Sequence, residues 1–164
     1  MKWDIVLTII NAIATVVAVI SAFRSHRYYK KSRALVDHTN MNKALVEIEK
    51  MLLKLPEALS ATNKSRQKNG RGYNLEKVIC DIGMDLSSSY NEIHSCVPPE
   101  YAEDLFAFED TDSFMLLKYI NGYMSGDALV EGVLDSTKYA ECQTQLMKMQ
   151  DYLKKSIDKM PEKI

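Results

Sequence analysis

The feature that most constrains this chain is the stretch Trp3–Phe23, WDIVLTIINAIATVVAVISAF. Its last nineteen residues, Ile5 to Phe23, carry no charge and are dominated by Ile, Val, Leu and Ala. At about 1.5 Å of rise per residue they make a helix of roughly 28 Å, matching the ~30 Å hydrocarbon core of a bilayer. A helix suits that environment because it satisfies its backbone hydrogen bonds internally. The rival reading is a cleaved signal peptide. The apolar run is longer than a signal h-region, and Ser21-Ala22-Phe23-Arg24 lacks an A-x-A-like cleavage site, so a retained anchor is expected.

The flanks give an orientation. The C-terminal side, RSHRYYKKSR, carries Arg24, Arg27, Lys30, Lys31 and Arg33 without an acid, whereas Lys2 on the other side is offset by Asp4. Positive-inside bias then predicts a single-pass membrane protein, N-terminus outside and the C-terminal part cytoplasmic. Tyr28 and Tyr29 suit a headgroup layer and the cations suit anionic lipid.

One line along the span differs from the rest. Thr8, Asn11, Thr15, Ala18 and Ala22 follow one another at alternating steps of three and four, with the bulky Ile and Val residues off the line. Such a repeat of small and polar residues is a packing seam, where backbones approach closely and Asn11 can bond to its copy. It predicts self-association; a ring of helices with a polar stripe along a water path is the sharper version.

Charge is unevenly placed. Six cations against Asp4 give +5 over residues 1–33, which leaves −6 of the overall −1 for residues 34–164. A mildly acidic body argues against binding duplex nucleic acid, which calls for a basic face. Cys80, Cys96 and Cys142 are isolated and lack C-x-x-C spacing, so reduced thiols are expected.

The predicted fold is mainly α: a transmembrane helix with a basic extension (1–36), a linker at DHTNMN (37–42), and a compact helical cytoplasmic domain (43–164). In that domain Met41, Ala44, Leu45, Ile48, Met51, Leu52 and Leu55 recur at helical spacing up to Pro56, which is expected to interrupt the helix. A second helix follows Asn74, with Leu75, Val78, Ile79, Ile82, Leu86, Tyr90, Ile93 and Val97 on one face, and Pro98-Pro99 stops it. The acidic run from Glu100 to Asp112 reads as a solvated face. FMLLKYI predicts a helix ended by Asn121-Gly122, with a short hairpin near 114–124 as the alternative. Ser136 caps a last helix with Tyr139, Cys142, Leu146, Met149, Leu153 and Met160 as core or oligomer seam.

Two stretches are candidate ligand contacts. SATNKSRQKNGRGYN holds Lys64, Arg66, Lys68 and Arg71 with two glycines and no acid, a composition that can meet phosphate although it fits no phosphate-loop consensus. KYINGYMSGD offers Tyr119, Asn121 and Tyr123, since Tyr can stack on a base and Asn can pair with an adenine edge; tyrosines buried in the core beside a turn are the alternative. No catalytic motif, metal-ligand spacing or cofactor fingerprint occurs; His94 and Cys96, two apart, point apart on a helix and form no dyad. A non-enzymatic protein without metal or cofactor is expected.

The layout of WDIVLTIINAIATVVAVISAF, the basic exit RSHRYYKKSR and a helical body resembles small membrane effectors that accompany type III CRISPR systems. The resemblance covers the whole chain in length and order and is architectural. It implies antiviral defence, a cytoplasmic domain that binds a cyclic oligoadenylate (cyclic tetra-adenylate favoured), a homo-oligomer with a tetramer favoured, and pore opening or membrane disruption. A membrane-tethered scaffold for a protein partner, an uncatalogued enzyme and a holin-like lytic protein are the alternatives.

Overall fold

The computed structural model describes residues 2–66, 75–107, 115–126 and 136–160, and they hold five helices and no strand: α1 Lys2–Arg66, α2 Leu75–Cys96, α3 Pro99–Phe106, α4 Met115–Met124 and α5 Ser136–Lys159. The hairpin alternative for 114–124 is thereby corrected to a helix over its described part.

The first difference from the sequence reading is α1, one helix of 65 residues, about 98 Å long. The linker expected at 37–42 does not exist as a break. Its polar side chains bond back to their own helix instead of capping a new one: Thr39 Oγ1 donates to the Leu35 carbonyl (2.9 Å) and Asn42 Nδ2 to the His38 carbonyl (2.8 Å). Met41 and Ala44, beside them, are wholly buried, so packing holds the helix through a segment of weak propensity. Pro56 also lies inside α1 rather than ending it. It forfeits one backbone bond and costs about 3 kcal/mol, against the burial of Leu55 and Ala58 on either side of it.

From Met41 onward α1 joins a bundle. Contacts run α1–α2, α2–α4, α4–α5 and α5–α1, closing a ring of four helices with α3 laid on α5. Met41, Ile48, Met51 and Leu55 of α1 meet Ile79, Ile82, Leu86 and Ile93 of α2, Tyr119, Ile120 and Tyr123 of α4, and Cys142, Leu146, Met149 and Leu153 of α5 in one core. The stripe of α5 is therefore core. α2 and α4 approach closely at Gly83, where a Cβ would stand 2.9 Å from the Met124 nitrogen. α4 continues through Asn121-Gly122, because Tyr119, Ile120 and Tyr123 are all buried on one face; Gly126, at φ +80°, is the second residue beyond its end.

Among the described residues the N-terminal half of α1 has no such partner. Among the described side chains from Ile5 to Val36, all are exposed except half-buried Ala34. α1 holds the one candidate among the described residues that is long and apolar enough to cross a membrane, and none of its most apolar window is buried against the rest of the chain.

Candidate functional site

The seam residues Thr8, Asn11, Thr15, Ala18 and Ala22 are all exposed on α1. At 100° per residue they fall within an arc of about 80°. Thr15 Oγ1 donates to the Asn11 carbonyl at 2.8 Å, which satisfies its hydroxyl within the helix. One side of the apolar rod is thus lined by groups a neighbouring helix can pack against more closely than it can against Ile or Val.

The side chains of the four cations expected to meet phosphate lie outside what the structure describes. Lys64 and Arg66 occupy the last turn of α1, but their side chains lie outside the described residues, as do Lys68 and Arg71 altogether. The adenine-binding expectation needs correction. Tyr119 and Tyr123 are 2% and 0% exposed, and their rings pack on one another at 5.2 Å with a 58° tilt. Neither ring offers a face for a base to stack on in this packing. Asn121, between them in sequence, is exposed and remains accessible to a ligand.

The tyrosines instead form a polar knot inside the bundle. Tyr123 Oη and Thr62 Oγ1 lie 2.5 Å and 3.0 Å from the Ala58 carbonyl oxygen and within hydrogen-bond reach of each other; with one proton on each hydroxyl, two of these three bonds are made at once. It ties α4 to α1 close to the end of α1. The Tyr119 hydroxyl is buried; it interacts with the Tyr123 hydroxyl but makes no hydrogen bond of normal geometry among the described residues. Burial, above all, pushes both phenols above their ordinary value. Sequence could not foretell this, because Tyr at helical spacing reads alike whether its hydroxyl ends in water or on a carbonyl.

A cavity of about 600 Å³ forms a groove between α1 and α2. Met51 and Leu86 floor it, and Leu53, 80% exposed, stands on its rim. Its walls are charged. Glu47, almost buried, accepts hydrogen bonds from Lys50 Nζ (2.5 Å) and Ser89 Oγ (2.9 Å). Lys54 Nζ bridges Glu57 (2.9 Å) on α1 and Asp85 (3.1 Å) on α2, and these bonds hold its ammonium above the ordinary lysine range. At the far end Lys43 pairs with Glu92, chiefly through that hydrogen bond raising the lysine and lowering the carboxylate. Glu47, Glu57, Asp85 and Glu92 thus outnumber Lys50 and Lys54 in the lining. Both lysines are bonded to carboxylates and, with Lys43 counted, the groove keeps an excess of one negative charge above its apolar floor, which disfavours a polyphosphate.

His94 and Cys96 diverge as their spacing requires. The His94 ring stacks on Phe106 (3.8 Å between centroids, 1° between planes) with Tyr90 edge-on, and burial lowers its pKa. The Cys96 thiol donates to Glu92 Oε1 at 3.5 Å. Among the described residues no group of three or more His, Cys, Asp or Glu is placed to hold a metal ion.

No family model matches this sequence, and no curated protein or solved structure matches it either.

Proposed function

We propose that this chain is a single-pass membrane effector of bacterial antiviral defence. α1 anchors it in the inner membrane with its N-terminus outside, and the four-helix body lies in the cytoplasm. A cyclic oligoadenylate, cyclic tetra-adenylate favoured, binds the body of a homo-oligomer, tetramer favoured, and the α1 seams of Thr8, Asn11 and Thr15 rearrange to open a pore or disrupt the bilayer. One observation carries the reading: α1 is a single helix whose first half is apolar and unburied while its second half is built into the core, so body and anchor move as one rod. Lys64, Arg66, Lys68 and Arg71 are the phosphate candidates and Asn121 the adenine-edge candidate; the buried tyrosines are not part of this site. A symmetric ring-shaped ligand would meet the same groups from every subunit, multiplying modest contacts. The messenger and the defence role rest on the architectural resemblance.

The test is full-length protein reconstituted into dye-loaded vesicles and titrated with cyclic oligoadenylates of each ring size. Messenger-evoked leakage with a raised Tm is expected. No leakage and no change in Tm with any ring size overturns messenger gating, and leakage without messenger points to a holin-like protein instead.

A second reading is favoured by the α1–α2 groove. Its excess of carboxylates, apolar floor and the exposed Leu53 on its rim fit a lysine- or arginine-bearing segment of a protein partner. A membrane-tethered scaffold would bind that partner stoichiometrically, lose it on Leu53→Ser, and ignore nucleotides.

A further inference from the structure

The helix does not break between the span and the bundle, so the directions in which its juxtamembrane side chains point are fixed relative to the seam. Taking 100° per residue, Arg24, Arg27, Lys30 and Lys31 fall within an arc of about 120°, and the seam from Thr8 to Ala22 within about 80°; the two arcs are centred roughly 140° apart. Downstream of the seam, on its own side, come Ser25, Tyr29 and Ser32. All of these residues are exposed. Arg33 is the exception among the cations: it points toward the seam side and is drawn to Asp37, 3.9 Å away.

We propose that Arg24, Arg27, Lys30 and Lys31 form an outward-facing binding surface for anionic phospholipid headgroups, set on the side of α1 opposite its self-association seam. The inference rests on the reading of α1 as a membrane span and goes beyond it, because net charge alone would allow the cations to face any direction. Helices joined along the seam turn these four side chains away from the axis of the assembly and into the surrounding lipid. They therefore do not line a central path. From Arg24 to Lys31 the helix rises about 10 Å, comparable with one headgroup layer of roughly 5–8 Å once the reach of Lys and Arg side chains is included. Phosphodiester headgroups with no cationic group of their own supply the complementary charge, and zwitterionic headgroups, whose ammonium offsets the phosphate, supply it poorly.

The experiment uses full-length protein floated with phosphatidylcholine vesicles that carry trace spin-labelled phosphatidylglycerol or spin-labelled phosphatidylcholine. The protein-restricted fraction of each label is read by electron paramagnetic resonance. Each cation near an anionic surface is worth roughly fivefold in association, so a severalfold preference for the glycerol headgroup is expected, lost at high salt. Neutralising all four cations to Gln brings the preference to parity, and Arg33→Gln leaves it in place. A relocated variant, Arg24→Ser, Ser25→Arg, Lys31→Ser and Ser32→Lys, keeps the net charge but turns two cations onto the seam side; it lowers the preference and weakens oligomer cross-linking. Equal restriction of both lipids by the wild type, or an undiminished preference in the relocated variant, overturns the proposal while the span stands. Protein that fails to float with the vesicles overturns the span as well.

Discussion

Two tyrosines four residues apart on α4 should answer oppositely to the same substitution. Tyr123 Oη bonds the Ala58 carbonyl at 2.5 Å and also meets Thr62 Oγ1, so Tyr123→Phe removes made hydrogen bonds and costs about 1 kcal/mol. Tyr119 buries a hydroxyl that makes no hydrogen bond of normal geometry among the described residues, and a buried unsatisfied group carries a desolvation penalty of about 1–3 kcal/mol. Tyr119→Phe removes that penalty at almost constant volume and should be neutral or stabilising by about 1 kcal/mol. The two variants should thus lie about 2 kcal/mol apart, on the order of 8 °C in Tm for a body of this size. The assay is thermal unfolding of detergent-solubilised full-length protein followed by circular dichroism. A third variant sharpens it. Thr62→Val in the Tyr123→Phe background should add less than Thr62→Val alone, because the partner is already gone. If Tyr119→Phe loses as much stability as Tyr123→Phe, the assignment of one satisfied and one unsatisfied hydroxyl is refuted.

Three further outcomes follow from the packing. Burial, with Glu141 adding to it, pushes the Cys142 thiol up to about 12, so the folded state holds its proton above the pH at which the unfolded chain releases it. Stability is then full below about pH 9 and falls by about 1.4 kcal/mol per pH unit up to 12, and Cys142→Ala should delay the alkaline onset to about pH 10, where the tyrosines take over, as read by denaturant titrations at stepped pH. Gly83→Ala should destabilise by about 1–3 kcal/mol despite the better helix propensity of Ala, because the added Cβ would meet the Met124 nitrogen at 2.9 Å and the Tyr123 carbonyl carbon at 3.0 Å, backbone that cannot swing aside. Asn11→Leu should weaken self-association by about 1 kcal/mol, near fivefold in dissociation constant, in analytical ultracentrifugation in detergent, with the Tm of the body unchanged.

Most of the core was legible in the sequence. The periodic apolar residues of α2 and α5 bury largely as their spacing requires, with Tyr139 and Ile157 half-buried at the edge. What failed was punctuation. DHTNMN and Pro56 carry the local chemistry of helix ends, yet both lie within α1, because Met41, Ala44, Leu55 and Ala58 are pulled into a core made by segments far away in sequence. Asn121-Gly122 misled for the same reason: the buried face of α4 outweighs a glycine cost of about 1 kcal/mol. At the candidate sites the limit was different. A tyrosine names its possible partners but not which it finds, and the closeness of α2 to α4 at Gly83 is a property of two helices, visible in neither alone. The charge pattern of the groove was likewise hidden, since Lys54 meets Asp85 only when α1 and α2 lie side by side.

An unbroken α1 also constrains how the proposed effector works. From Arg24 to Met41, the first core residue, the helix advances about 25 Å, and from Arg24 to Arg66 about 63 Å, so ligand groups at the end of α1 are far from the bilayer. No Gly or Pro occurs from Arg24 to Leu55, and nothing there provides a hinge. A ligand that repositions the bodies must then act by tilting or rotating whole rods, and the seams between them report that motion directly. Inserting Gly-Ser-Gly-Ser between Arg33 and Ala34 tests the point. It lies before the bundle core and after the apolar run, so the Tm of the body, its Tm response to messenger, and flotation with vesicles should all persist. Messenger-evoked dye leakage should fall at least tenfold, because a flexible joint lets the bodies turn without turning the anchors. Leakage that survives the insertion would mean that local crowding of the anchors, and not their orientation, opens the membrane.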